Sequence, residues 1–182
     1  MALEKQLNKN IRATASGFIY KIHDLISSVD TGGGVTQFQN SERVNAEGLE
    51  FELHGAWDNG WKTTTSYTIV NTEDTATHKG LTNTPKHMFK TNLRVPIAEK
   101  IFAGLEVQYE SERKTLAGNK ADDFALVNVT VTHTNIVKNL DVSAGLYNLL
   151  DEEYGNPGFS EHEQNVLDQD GINFRVKLTY RF

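Results

Sequence analysis

A two-residue alternation of apolar and polar side chains runs through most of this chain and reaches its final residue. In the closing decapeptide, Phe174, Val176, Leu178, Tyr180 and Phe182 alternate with Asn173, Arg175, Lys177, Thr179 and Arg181. Successive side chains of a strand point to opposite faces, so this segment is expected to be a strand with one apolar and one polar face. Chain ends usually fray, yet here the pattern persists to the carboxyl terminus.

The pattern recurs upstream. Leu49, Phe51 and Leu53 alternate with Glu50, Glu52 and His54, and Trp61, Thr63, Thr65, Tyr67 and Ile69 with Lys62, Thr64, Ser66 and Thr68. Further strands are expected around Phe89 to Ile97, Ile101 to Tyr109, Val127 to Val131 and Leu140 to Leu146. The stretch IRATASGFIYKIHDLI alternates less cleanly, which suggests a bulge. The expectation is an all-β chain of about eight strands with no helix.

The connections fix the topology. Short turns are expected at NKN (8 to 10), DNG (58 to 60), AEK (98 to 100) and near NIVK (135 to 138). Long polar loops are expected at about 29 to 43, 71 to 86, 113 to 123 and 149 to 171. Turn and loop in strict alternation describe an antiparallel up-and-down meander with all tight turns at one end. Register can be tested against faces. With Trp57 opposite Trp61, Leu53 meets Thr65, Phe51 meets Tyr67 and Glu52 meets Ser66. With Ile97 opposite Ile101, Val95 meets Ala103, Leu93 meets Leu105 and Phe89 meets Tyr109. In both hairpins apolar residues share a face.

Of the 182 residues, 38% are hydrophobic and 23% charged, with a net charge of -6. No apolar run approaches the roughly 18 to 20 residues of a membrane helix, but a spanning strand needs only about 9 to 11. The polar face carries Glu50, Glu52, Lys90, Arg94, Glu106, Glu110, Arg175, Lys177 and Arg181, too much charge for a small closed interior and suited to a wide, wet lumen. Trp57, Trp61, Tyr180 and Phe182 lie toward the turns, and Tyr67, Phe89, Tyr109 and Tyr147 toward the loops, as in the two aromatic girdles of a barrel in lipid.

On these residues the chain resembles TonB-dependent outer-membrane receptors. GLYNLLDEEYGNPGFSEHEQNVLDQDGINFRVKLTYRF is similar to the carboxyl-terminal end of that family, with its YNLFD-like segment, long loop and final strand closing on Phe. TASGFIYKIHDLI, AEGLEFELHGAW, TTTSYTIVNTED and NTPKHMFKTNLRVPI resemble successive barrel strands. The resemblance implies a 22-stranded transmembrane β-barrel plugged by an amino-terminal domain. Residues 1 to 182 would be its carboxyl-terminal segment, with plug and signal peptide absent and ALEKQL the tail of a preceding strand. It also implies that Phe174, Val176, Leu178, Tyr180 and Phe182 form the signal read by the barrel assembly machinery. A terminal edge strand with free backbone groups is a template for strand addition, which a folding catalyst can grip.

The function so implied is uptake of a scarce nutrient, such as an iron chelate, across the bacterial outer membrane. Its partners would be lipid, the assembly machinery, TonB and the small-molecule ligand. The acidic balance argues against nucleic acid. Three rivals are a self-contained eight-stranded barrel with a structural or adhesive role, an outer-membrane hydrolase and a soluble β-domain. No cofactor and no catalytic, cofactor-binding or metal-ligating residue is expected. There is no cysteine, His162 in EHEQN lacks the second histidine of HExxH, DQDG (168 to 171) lacks the other calcium ligands, and GGG (32 to 34) precedes no GK[ST]. His133 and His162 fall near opposite ends of the meander, which leaves the hydrolase without a constellation. The acidic run from Asp151 to Asp170 reads first as a solvated loop.

Overall fold

The computed structural model describes residues 1–33 and 35–182, without the side chains of residues 27, 28, 30, 36, 41 and 42; the third glycine of GGG thus lies outside the described residues. One antiparallel sheet dominates, built from β1 (Ala2–Asn8), β2 (Ile11–Asp30), β3 (Thr36–Ala56), β4 (Lys62–Asp74), β5 (His87–Ala98) and β6 (Ile101–Glu110). It continues past two small hairpins through β9 (Phe124–Val137), β10 (Leu140–Tyr147) and β13 (Asn173–Tyr180). The hairpins are β7 (Arg113–Lys114) with β8 (Lys120–Ala121), and β11 (Gly155–Pro157) with β12 (Val166–Asp168). Each of the nine sheet strands pairs with its neighbours in chain order, and the two outer strands, β1 and β13, are not joined to each other. The meander is open.

Register follows the faces. Leu53 pairs with Thr65, Phe51 with Tyr67 and Glu52 with Ser66. Leu93 pairs with Leu105 and Phe89 with Tyr109, while Ala98 rather than Ile97 opposes Ile101 because the ladder shifts after Pro96. The bulge in β2 lies between Ile22 and Leu25, where Asp24 has φ 59°.

Four expectations are corrected. The sheet has nine strands rather than about eight, because ALEKQL, expected as the tail of a preceding strand, pairs with β2 as the seven-residue edge strand β1. The expected loop at 29 to 43 is mostly strand: β2 and β3 pair out to Asp30 and Thr36, leaving only residues 31 to 35 between them. The turn near NIVK falls at Lys138 and Asn139, since β9 absorbs Asn135 (φ 51°) as an irregularity and runs to Val137. Tyr147 belongs to the polar face, because it pairs with Asn173 while its neighbour Leu146 shares the apolar row with Phe174.

The apolar face is the exposed one. Among the described residues the buried hydrophobic side chains are Val44, Ala121 and Phe124, whereas Phe174, Val176 and Leu178 are 74%, 61% and 66% exposed. Six of the nine strands carry an apolar row of about nine residues, the length of one membrane crossing: Ile11 to Ile19, Leu49 to Trp57, Trp61 to Ile69, Phe89 to Ile97, Ile101 to Tyr109 and Phe174 to Phe182. Polar atoms inside the row satisfy each other, as where the Thr65 and Thr91 hydroxyls hydrogen-bond at 2.7 Å. Past the rows, the same face turns polar at Lys21, Glu47 and Asn71, so β2, β3 and β4 rise beyond the apolar band.

Candidate functional site: the polar wall and the loop-side cluster

The opposite face forms a wall whose side chains can be read row by row across the strands. One row runs Thr14, Glu52, Ser66, Lys90, Gln108 and Leu126. The next runs Arg12, His54, Thr64, Asn92, Glu106 and Asn128. A third, nearer the turns, runs Lys62, Arg94, Gly104, Thr130, Gly145 and Arg175. Much of the charge is internally matched. Arg12 lies 3.8 Å from Glu4, Glu52 lies 3.7 Å from the His54 ring, Asn128 donates to Glu106 at 2.8 Å and Gln108 donates to Glu110 at 2.8 Å. Two guanidiniums rest on aromatic rings instead, Arg94 at 3.6 Å from the Phe102 centroid and Arg175 at 4.8 Å from that of Tyr147.

At the loop end, the densest cluster centres on Arg113, which alternation gave no reason to single out. It is buried, donates to the Asn156 side chain at 2.9 Å and the Gly155 carbonyl at 2.9 Å, reaches Asn83 at 3.4 Å and lies 3.7 Å from Glu110. Its guanidinium stands 5.5 Å from the Phe124 ring, which packs on Tyr154 at 4.7 Å. One side chain thereby ties together the segments around Asn83, β7 and β11. The YNLLD stretch performs a related task at the base of the last loop. The buried Asn148 accepts the Glu152 amide at 2.8 Å and donates to the Glu152 carbonyl at 2.9 Å, while Asp151 accepts the Ile172 amide at 2.8 Å. The two ends of the 149 to 171 loop are thus drawn together.

The residues singled out in the terminal strand share one exposed row on β13: Phe174, Val176, Leu178 and Tyr180, with Phe182 just beyond. Arg181 anchors that end, its amide donating to the Asn139 carbonyl and its guanidinium bound to Asp141. The outer edge of β13 carries no strand. Tyr67, Phe89 and Tyr109 form one continuous aromatic row on the loop side, and the Tyr67 hydroxyl bonds the His87 ring at 3.0 Å. His133 lies near the β9–β10 turn and His162 in the last loop, and among the described residues no group of three or more metal-ligating side chains comes together.

An exposed apolar face about nine residues tall, a charged inner wall and tight turns at one end define the wall of a membrane-spanning β-barrel. Comparison with known proteins agrees. The family described as TonB dependent receptor-like, beta-barrel matches residues 4–149, and the chain belongs to that family. A curated relative, the ferric-pyoverdine BN7/BN8 receptor of Pseudomonas putida, is 28% identical over 122 residues, covering 64% of this chain and 15% of that protein. Among solved structures, the ferric enterobactin receptor of Pseudomonas aeruginosa superposes with a TM-score of 0.78 at 21% identity, over 100% of this chain and 30% of its own. The copper transporter OprC gives 0.78 at 19% identity with the same coverage, and the ferric citrate transporter FecA 0.77 at 16%, over 96% of this chain and 29% of its own. The chain therefore spans less than a third of the length of these relatives.

Proposed function

We propose that this chain is the carboxyl-terminal part of the barrel of a bacterial outer-membrane receptor that imports an iron chelate with energy delivered through TonB. The observation that carries this reading is the inverted exposure of the sheet, apolar side out and charged side in, together with the relationship to a ferric-pyoverdine receptor. Further strands would join β1 and β13 to close the wall, and a plug domain ahead of this segment would fill it. The loop-side cluster around Arg113 would hold ligand-facing loops in a fixed arrangement. The fold is shared with a copper transporter, so the choice of an iron chelate rests on the sequence relative. An unjoined nine-stranded sheet speaks against a self-contained eight-stranded barrel.

In this reading β13 also carries the assembly signal, with Phe174, Val176, Leu178, Tyr180 and Phe182 offered to the barrel assembly machinery along a free edge. Two experiments test the proposal. Deletion of the gene should abolish uptake of a radiolabelled ferric chelate by iron-starved cells, and complementation should restore it; unaltered uptake of every ferric chelate tried would refute the assignment. Removal of Phe182 should lower the folded receptor in the outer membrane several-fold while leaving synthesis unchanged, and equal amounts of folded protein would remove the assembly role.

A further inference from the structure

We infer that the outer face of β2, β3 and β4, at the loop-side margin of the apolar band, binds a single membrane lipid whose headgroup presents sugar hydroxyls. Two cavities meet there. The first, of about 620 Å³, is apolar and lies among Gly17, Ile19, Leu49 and Ile69. The second, of about 240 Å³, is ringed by Lys21, Asn45, Glu47 and Glu73. Ile19, Glu47 and Asn71 border both, so the two make one continuous groove, apolar at one end and polar at the other. The change of polarity falls where the apolar rows end, as Ile19 gives way to Lys21, Leu49 to Glu47 and Ile69 to Asn71. In a barrel this is the depth at which hydrocarbon meets headgroups, so an amphiphile enters with its acyl chain on the apolar floor and its head on the polar end.

The floor is hollowed at Gly17, which pairs with Leu49 on the outward row. A Cβ there would make one ordinary contact, with the Leu49 side chain at 3.5 Å, and the backbone has no left-handed φ. Neither packing nor conformation therefore requires a glycine, and what its bare backbone does is deepen the groove. At the polar end, Asn45 and Glu47 of β3 face Glu73 and Asn71 of β4 as cross-strand pairs. The His78 ring holds Glu73 at 2.6 Å, while among the described residues the side chains of Asn45, Glu47 and Asn71 carry no hydrogen bond or ion pair. Two carboxylates repel a phosphate. Amides that both donate and accept, beside carboxylates that accept strongly, suit hydroxyl groups instead. From the Leu49 row to the Asn45 row is four residues, roughly 13 Å, and from β2 to β4 roughly 10 Å, room for the end of a chain and a sugar ring. The groove keeps this form however the barrel is completed. β3 and β4 are flanked on both sides by strands of this chain, strands joined beyond β1 extend the sheet in its own plane and border the groove without covering it, and a plug lies against the opposite face.

The site rests on the barrel reading, because this face meets lipid only if the sheet is a membrane wall. The test therefore uses the full-length receptor folded in amine-oxide detergent, with folding followed separately by heat-modifiable electrophoretic mobility. Digalactosyldiacylglycerol and phosphatidylglycerol with the same acyl chains are titrated separately, and bound lipid is counted by native mass spectrometry. The proteins are the wild type, Gly17→Leu to fill the floor, Glu47→Ala/Asn71→Ala to strip the polar end, and Ala144→Leu as a control. Ala144 lies on the outward row of β10 between Val131 and Val176, beside a separate apolar groove. The expected result is one galactolipid held by the wild type and by Ala144→Leu in preference to phosphatidylglycerol, with affinity about tenfold lower in each groove variant, the loss that one or two net hydrogen bonds would give. Equal or stronger binding of phosphatidylglycerol overturns the hydroxyl headgroup. Galactolipid binding unchanged in both groove variants, or absent from the folded wild type, overturns the site. A receptor that lacks heat-modifiable folding in detergent would instead overturn the barrel reading on which the site depends.

Discussion

Leu105 offers a direct measure of which face of the sheet meets lipid. It is the central residue of the outward row from Ile101 to Tyr109 on β6, flanked by Leu93 and Val129 on the neighbouring strands. The row has eight steps of about 3.3 Å, and a strand tilted by about 40° raises it roughly 20 Å along the membrane normal, with Leu105 about 10 Å from either margin. Replacement by arginine sets a cation near the midplane, at a cost of about 2–4 kcal/mol, or a roughly 30- to 700-fold shift of the folding equilibrium. The same replacement at Ile101 or Tyr109, at the margins, should cost about 0–1 kcal/mol. Chemical denaturation of the full-length receptor in lipid vesicles, scored by heat-modifiable mobility, gives all three values. A cost that peaks at Leu105 and falls toward both ends is the expected profile. Equal costs along the row would mean that these side chains face a protein interior, and would refute the assignment of faces.

Three further outcomes follow from the same geometry. Arg113→Gln should cost about 3 kcal/mol of local stability by leaving Asn156 and the Gly155 carbonyl without their charged donor, seen as faster amide exchange in β11 and β8 with the main sheet unchanged. Gly104→Ala should destabilise by about 1–2 kcal/mol through overpacking, since its Cβ meets the Thr130 hydroxyl, and adding Thr130→Ala should recover part of the loss in a denaturation series. Asp74 lies five residues beyond Ile69, outside the apolar band, and the Thr77 amide and hydroxyl and the Ala76 amide hold its carboxyl below the ordinary aspartate range. A depressed folded pKa means the turn gains stability above the unfolded value of about 3.9 and loses it as pH falls through the lower folded value; exchange of the Ala76 and Thr77 amides should rise over that acid range, and Asp74→Asn should remove the dependence.

Much of the meander can be read from residue order, and the reasons are local. Within the apolar band one face must be apolar and the other polar, so a slip of one residue would expose every side chain to the wrong medium. The DNG hairpin could therefore be registered pair by pair from Trp57 and Trp61 outward. Above the band that constraint disappears. In β2 and β3 beyond Lys21 and Asn45 both faces are polar or mixed, so alternation lapses while backbone pairing continues, and SVDTGGGVTQFQNSER reads as loop where the chain is mostly strand. An aromatic residue near a strand end suggests a girdle, but the register of Tyr147 with Asn173 turns it inward. Arg113 was invisible for a different reason. It and its partners come from three separate loops, and no spacing along the chain records that they meet.

The near-constant height of the apolar rows makes the sheet a gauge of bilayer thickness. A lone helix that is too long for its membrane can tilt by itself, but a strand of β2 to β6 is hydrogen-bonded to neighbours whose rows end level with its own or two residues away. Mismatch is therefore met by the whole wall together or by the lipid around it. Shortening the acyl chains of a host bilayer should strain every strand at once, so the response to thickness belongs to the assembled wall rather than to any single segment.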